Sequence, residues 1–506
     1  MNGSTHGKGY ERPLSRTNTT AIFYLLLGLV LLSFATVVLA QPIQIVPRWL
    51  NPVSESPHIK STAVASLVDG SGNVYVAGNV DRREGAFLPI QSDIYVALYG
   101  EDGSLLGSYS FGASLGYGND TVTGLEFTRD GNLLVVGSSE EIDGSLSLIA
   151  IGLDTSLVEQ WQARYSPPNM GLSFGRDIRP AAHALSYNDG FYVAGWSGSS
   201  KSGETITLLS YSNTGELRSA TEHLMQDYTP KDAVIGPRGS LAVIGANNGI
   251  SIERFGPPKG SSWYIPQIDY GIPTRPEYPF GPKPKSIIIN ADASYYLLGH
   301  ASDNNGETDT LVTKVSASGE VLWKHFGGSG RDKPIKIVSN RNSEAFVLVQ
   351  HGARNAASGP TAVVTSYDAH NDVEVESTLV LSDELVSGTS PLDLFVDEHN
   401  RLIVAGHAKP LCGDQSQLVC DKQAAFVTLI DPTSSEQWYY LKQLDGEALN
   451  LNASEQYVVA SGMVAERGFS ALFPVTPTLL DYKGFKDAGQ DIPLPDPTTL
   501  PFPIKH

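Results

Sequence analysis

The sequence predicts an all-β fold: a single β-propeller of four-stranded blades, with eight blades as the first reading and seven as the alternative. Three observations carry that prediction. First, one short apolar segment recurs: "NVYVAG" at residues 73–78 returns as "NLLVVG", "GFYVAG", "SLAVIG", "SYYLLG", "AFVLVQ", "RLIVAG" and "QYVVAS". The copies end at Gly78, Gly137, Gly195, Gly245, Gly299, Gln350, Gly406 and Ser461, so they stand 59, 58, 50, 54, 51, 56 and 55 residues apart. That period suits one four-stranded unit. Second, no helical periodicity is found outside residues 21–40, while 50 glycines and 31 prolines supply the turns that many short strands need. Third, of 6 tryptophans, Trp161, Trp263, Trp323 and Trp438 all fall in the fourth strand-like segment of a unit.

Taken in order, residues 1–20 are polar, with Lys8, Arg12 and Arg16 against Glu11, and residues 21–40, "AIFYLLLGLVLLSFATVVLA", carry no charge. Such a stretch is long enough to span a bilayer core. Val38 and Ala40 stand at the small-residue spacing that a signal peptidase accepts. Residues 1–40 therefore read as a signal peptide removed before Gln41 or, as the alternative, as an N-terminal membrane anchor with its positive flank inside. Either way the bulk of the chain is expected to be exported, whether periplasmic, on the cell surface or secreted.

Residues 41–480 read as the propeller. A unit opens on a small-residue strand ("TAVASLVD", "DTVTGLEFT") and turns through glycine ("DGSGN", "RDGN") into the recurring strand. A third strand follows ("DIYVALYG", "TLVTKVSASG"), and a fourth closes the unit ("EQWQARY", "VLWKHFGG", "EQWYYL"). One such sheet cannot bury both its faces. Packed face to face around an axis, each blade covers the next. Small residues suit the crowded innermost strand, and Trp and Tyr the wider space further out. The last unit has "QYVVAS" and "GFSALFPV" but no fourth strand with Trp. "IQIVPRWL", residues 43–50, places Trp49 just before the first unit. This N-terminal strand is expected to close the ring. Residues 256–284 form a Pro-rich excursion holding Trp263, Tyr264, Tyr270, Tyr278 and Phe280, and residues 481–506 read as an extended, Pro-rich tail.

The formal charge of −19 argues against nucleic-acid binding through a general basic surface. The two cysteines, Cys412 and Cys420, lie in the short polar segment "PLCGDQSQLVCD". In an oxidising compartment an even count suggests one disulfide closing a small loop, with two free thiols as the other reading.

"DTLVTKVSASGEVLWKHFGGSGRDKPIKIV", residues 309–338, resembles the bacterial SBBP-type β-propeller repeats, which pair an Asp-led strand with G…W…FGGSG.D. The resemblance is recognisable in residues 61–112 and faded between residues 220 and 290. It implies a propeller and extracytoplasmic placement, without an assigned activity. "VDGSGNVYVAG" is also similar to NHL-type propeller repeats.

Several segments bear on chemistry. "GASLG", residues 112–116, matches the G-x-S-x-G nucleophile pattern, but no helix follows Ser114 as that motif requires. Asp120, Asp177 and Asp332 close similar turns into innermost strands, where carboxylates either ring the channel mouth or cap their own turns. Asp303, Asn305, Glu307 and Asp309 alternate like the start of a calcium loop and are the candidate metal ligands, with Ca as the ion. The sixth and twelfth positions hold Thr308 and Lys314 instead of Gly and Glu, so an ordinary polar loop is the competing reading. Aligning "YYLLGH", "FVLVQH" and "LIVAGH" puts His300, His351 and His407 at one structural position in consecutive units, each opening a loop on the same face. A PQQ-like dehydrogenase shares the eight-bladed plan, but its A-x-D-x-x-T-G-x-x-x-W repeat is met only in fragments by "VSASGEVLW" and "DPTSSEQW", and its vicinal cysteines are missing.

These features converge on an exported binding or scaffold propeller at the cell envelope or outside the cell, with no catalytic residues and no cofactor assigned. A propeller-borne enzyme, PQQ-like dehydrogenase or hydrolase, is the alternative. The expected partner is a protein or glycan, with no nucleic acid; the propeller is expected to be a monomer, tethered to a membrane if residues 21–40 are retained. Binding is expected through His300, His351, His407, Tyr270, Tyr278 and Phe280, because loops on a rigid scaffold carry recognition.

Overall fold

Pairing follows the repeat. Each recurring apolar strand pairs antiparallel with the strand before it and the strand after it, which gives eight four-stranded units arranged as an eight-bladed propeller. A computed structural model describes residues 43–474 except 45–48, 53–59, 83–90, 113–117, 168–178, 187–189, 200–202, 226–228, 237, 247–248, 257–261, 266–267, 269–279, 303–307, 328–330, 353–358, 369–373, 382–385, 398, 413–417, 420–422, 432–436, 443–445, 454–455 and 465–466. No helix occurs among the described residues. Residues 1–40, and with them the expected signal or anchor, lie outside them, as does the tail.

Blades 1 to 7 run over residues 61–111, 120–165, 179–225, 229–265, 280–327, 332–379 and 386–442. Blade 8 takes three strands from the C-terminal side, Gly446–Ala453, Tyr457–Val464 and Arg467–Pro474, and its fourth, Trp49–Pro52, from the other end. Trp49 lies opposite Leu472 and Pro52 opposite Phe469. The expected closure is therefore present. Behind it, Val74 and Val76 of blade 1 bury with Tyr457, Val459 and Leu472 of blade 8, so the first and last blades share a core. Trp161, Trp263, Trp323 and Trp438 all lie in fourth strands. Trp161 shows why: it stacks on Phe191 of blade 3, which stacks on Tyr211, at centroid distances of 5.4 and 5.0 Å. Large rings fill the widening gap between blades away from the axis.

First strands of neighbouring blades touch one another, as in blades 4 and 5, 5 and 6, and 6 and 7. These strands surround the axis. Each has a β-bulge at one place: between Ala63 and Ala65, Val122 and Gly124, Pro180 and Ala182, Pro230 and Asp232, Pro284 and Ser286, Pro334 and Lys336, Pro391 and Asp393, and Ala448 and Asn450. Five of these positions are proline. A proline cannot donate to a ladder, and an edge strand at a bulge is where a sheet tolerates it.

The bulge also explains the glycine that ends most copies of the repeat. Gly78 lies opposite Ala63, and a Cβ there would overlap the carbonyl oxygen of Thr62; at Gly137 it would overlap that of Thr121. Register measured from the bulge corrects two of the eight copies. The residue opposite the bulge is Val349 in blade 6 and Gly462 in blade 8, where the sequence alignment chose Gln350 and Ser461.

Tight turns of one kind join the first strand to the second and the third to the fourth. In residues 69–73 the amide of Gly72 donates to the Asp69 carbonyl and that of Asp69 to the Asn73 carbonyl. The Asp69 carboxylate accepts the amides of Ser71 and Asn73 at 2.8 and 2.9 Å. Asp154, Asn340 and Asp397 cap their turns in the same way. These polar side chains are occupied by the backbone.

Candidate functional site

The shared bulge provides a common ruler for all blades, and two positions measured on it reach across to the next blade. One is the second-strand residue just beyond the bulge partner. In blade 1 it is Asn79, whose amide donates to the Asp120 carbonyl of blade 2 at 2.7 Å. In blade 6 it is Gln350, which donates to the Thr389 carbonyl of blade 7 at 3.2 Å and to the Ser390 hydroxyl at 3.1 Å. The other is the first-strand residue just after the bulge. Asp232 accepts the amide of Ile287 in blade 5, Asp393 that of Leu451 in blade 8, and Asn450 that of Ser66 in blade 1, at 2.9, 2.8 and 3.1 Å. Burial pushes the Asp232 carboxyl above its ordinary range, even against the amides of Ile287 and Ala233 that favour its charged form. Desolvation wins there.

In blade 2 the same first-strand position is Gly124, and the His183 ring of blade 3 occupies the room a side chain would need. Nε2 of His183 stands 3.7 Å from Oε2 of Glu126. Burial raises the Glu126 carboxyl to about 7 and lowers the imidazole below its usual value.

His300 and His407 share the first of these positions with Asn79 and Gln350: His300 lies opposite Lys283, and His407 opposite Ser390, each one residue beyond the bulge partner. His351 does not. It lies opposite Asp332, a residue further on, so its side chain projects from the other face of its sheet. Nor do His300 and His407 open loops, since their strands run on to Ser302 and Cys412. Nδ1 of His351 is 2.5 Å from Oδ1 of the buried Asp332. That carboxylate holds the imidazole inside its own blade. The three histidines thus form no common cluster, and among the described residues no group of three or more His, Cys, Asp or Glu side chains is placed to hold a metal.

The first strands around the axis differ sharply from blade to blade. At the bulge itself stand Val64, Thr123, Ala181, Lys231, Lys285, Ile335 and Leu392 in blades 1 to 7; the residue before the bulge proline is Lys283 in blade 5 and Lys333 in blade 6. Lys231, Lys283, Lys285 and Lys333 are exposed, on strands whose flanks are covered by neighbouring blades, so they face the central opening. Lys231, Lys285 and Lys333 make no ion pair among the described residues. Lys336 pairs with Asp393 of blade 7. His300 belongs to this sector: burial first, then the charges of Lys283 and Lys285, lower its pKa, and its Nδ1 is buried without a hydrogen-bond partner among the described residues.

Sequence reasoning missed this lysine sector, although "YTPKDAV", "PKPKSIII" and "RDKPIKIV" share a proline at one register with lysine beside it. Reading it requires the bulge, which matches Lys231 to Lys285 and Lys283 to Lys333. Other expected site residues fall elsewhere. Tyr270, Tyr278, Asp303, Asn305, Glu307, Cys420, Ser114 and Asp177 lie outside the described residues. Phe280 opens the first strand of blade 5, opposite Ser302; Asp309 lies opposite Ala301, and Cys412 opposite Leu418.

No protein-family description matches this sequence, and no curated protein matches it. Among solved structures it is similar to Sqt1 of Saccharomyces cerevisiae, with a TM-score of 0.48 and 12% identity over 83% of this chain and 97% of that one. A europium-containing methanol dehydrogenase gives a TM-score of 0.37 and 10% identity over 86% and 95% of the two chains. Prolyl oligopeptidase B from Galerina marginata gives 0.39 and 9% over 75% and 56%. Likeness at this level concerns the fold and carries no statement about activity.

Proposed function

We propose that the protein is an exported, non-catalytic β-propeller of the SBBP type, acting as a monomeric binding or scaffold module for a protein or glycan, with no cofactor. One observation supports this reading above the others. Exposed lysines gather on the first strands of blades 4 to 6, where Lys231 and Lys285 take the bulge positions that Val64 and Thr123 hold in blades 1 and 2. A charged sector in a ring whose other bulge positions are small or apolar marks a surface with a task beyond holding the ring together. The signal-like residues 1–40 support export, and the segment 309–338 supports the repeat type.

A photo-cross-linking residue tests it, placed at Ile335 near the axis or at Leu106, which is 58% exposed on an outermost strand. Adducts formed in the producing cell from Ile335 and not from Leu106 are expected. Adducts from Leu106 alone would move the binding surface to the outer rim. Mass spectrometry of the exported product should show Gln41 as the first residue; an intact Met1 would support the anchored form. Visible absorbance of a bound quinone in the purified chain would instead favour the enzyme reading.

A further inference from the structure

We infer that the axial mouth formed by blades 4 to 6 is a binding site for a small polyanion, a molecule bearing two or more phosphate or carboxylate groups, held by Lys231, Lys283, Lys285 and Lys333. This rests on the reading of the axial face as the binding surface and specifies its ligand chemistry.

The chain carries a formal charge of −19, so four exposed ammonium groups on three adjacent strands stand out against an acidic background. Acidic groups in the same sector are engaged elsewhere. Asp232 accepts backbone amides of Ala233 and Ile287, Asp332 is bonded to His351, and Asp393 takes Lys336 together with the amides of Leu394 and Leu451. Lys231, Lys285 and Lys333 thus make no ion pair among the described residues, although Asp232 lies near enough to Lys285 to feel its charge. Two lysines on one strand and one on each neighbour are spread over three adjacent strands, which suits a ligand with several charges better than a single anion. His300, beside Lys283 and Lys285, adds a polar group whose Nδ1 has no hydrogen-bond partner among the described residues. The bulge supplies the geometry, because it turns the extra residue, Lys231 or Lys285, out of the ladder.

Isothermal titration of the full exported chain at low salt tests the site with two probes, inorganic tripolyphosphate and a uronic-acid trisaccharide. At least one probe should bind, with affinity falling steeply as salt rises. Lys231→Gln, Lys285→Gln and Lys333→Gln together should weaken binding by about tenfold or more. A control removing the same charge elsewhere, Arg218→Gln, Arg238→Gln and Lys324→Gln, should bind as the parent does. The tighter probe identifies phosphate or carboxylate as the preferred group. Absence of binding by both probes, or an equal loss in the control, overturns the proposal; cross-linking from Ile335 that persists in that event would leave the binding-module reading standing. Matching melting temperatures of the two variants show that both rings are intact.

Discussion

Glu126 illustrates how one residue in the ring couples stability to pH. Its carboxyl, partly exposed beside His183, is raised by burial from the ordinary 4.5 to about 7. Between those values the folded chain binds the proton more than the unfolded chain does, so stability falls as pH rises through this window. His183 has the opposite sign. Its pKa is lowered by burial, and its contribution is lost as pH falls through the ordinary imidazole value of 6.5. Glu126→Gln should therefore remove the decline between about pH 4.5 and 7 and leave the histidine's rise. Urea midpoints across that range check this. An unchanged profile would show that Glu126 titrates as a solvated carboxylate.

On the scale of the element, the bulged first strand organises the blade. The repeat's terminal glycine was legible as a recurrence but not as a requirement, because its cause lies on another strand. Only after pairing does the Thr62 carbonyl come to lie over Gly78. Gly78→Ala should cost roughly 1–3 kcal/mol, the range of an overpacked site, since either the bulge or the second strand must shift. Chemical denaturation of the variant measures it, and a loss below about 1 kcal/mol would mean that the bulge relaxes freely. The histidine alignment failed for the same reason. Counting along the chain matched "FVLVQH" to "YYLLGH", but register from the bulge sets Gln350, not His351, level with His300. A slip of one residue moves a side chain to the opposite face of a sheet.

At the scale of the whole molecule, ring closure couples the two ends of the chain. Strand Trp49–Pro52 covers Arg467–Pro474, and blade 1 shares a buried core with blade 8. Polar contacts seal the same seam: Asn450 accepts the amide of Ser66, and the Ser61 hydroxyl accepts that of Gly468. Deleting residues 41–52 removes the covering strand and exposes the Arg467–Pro474 edge, which invites aggregation. The truncated chain should melt several degrees lower, roughly in proportion to one lost strand pairing, and should elute partly as aggregate. A truncation that melts with the intact chain would show that the buried core between blades 8 and 1 holds the ring without the strand.

The eight apolar copies, their glycine-bearing turns and the tryptophans of the fourth strands specify strands, period and closure, because these depend on local propensity and on a repeat that needs no partner to be seen. Axial chemistry is different in kind. Lys231, Lys285 and Lys333 are about fifty residues apart along the chain, in segments with no shared spelling beyond a proline and a lysine. They become one surface only when three bulged strands stand side by side around the axis. The same holds for Asp232, Asp393 and Asn450, whose partners are amides of the next blade. Contacts between blades are set by packing across distances in sequence that local pattern cannot encode, and there the tertiary structure alone decides.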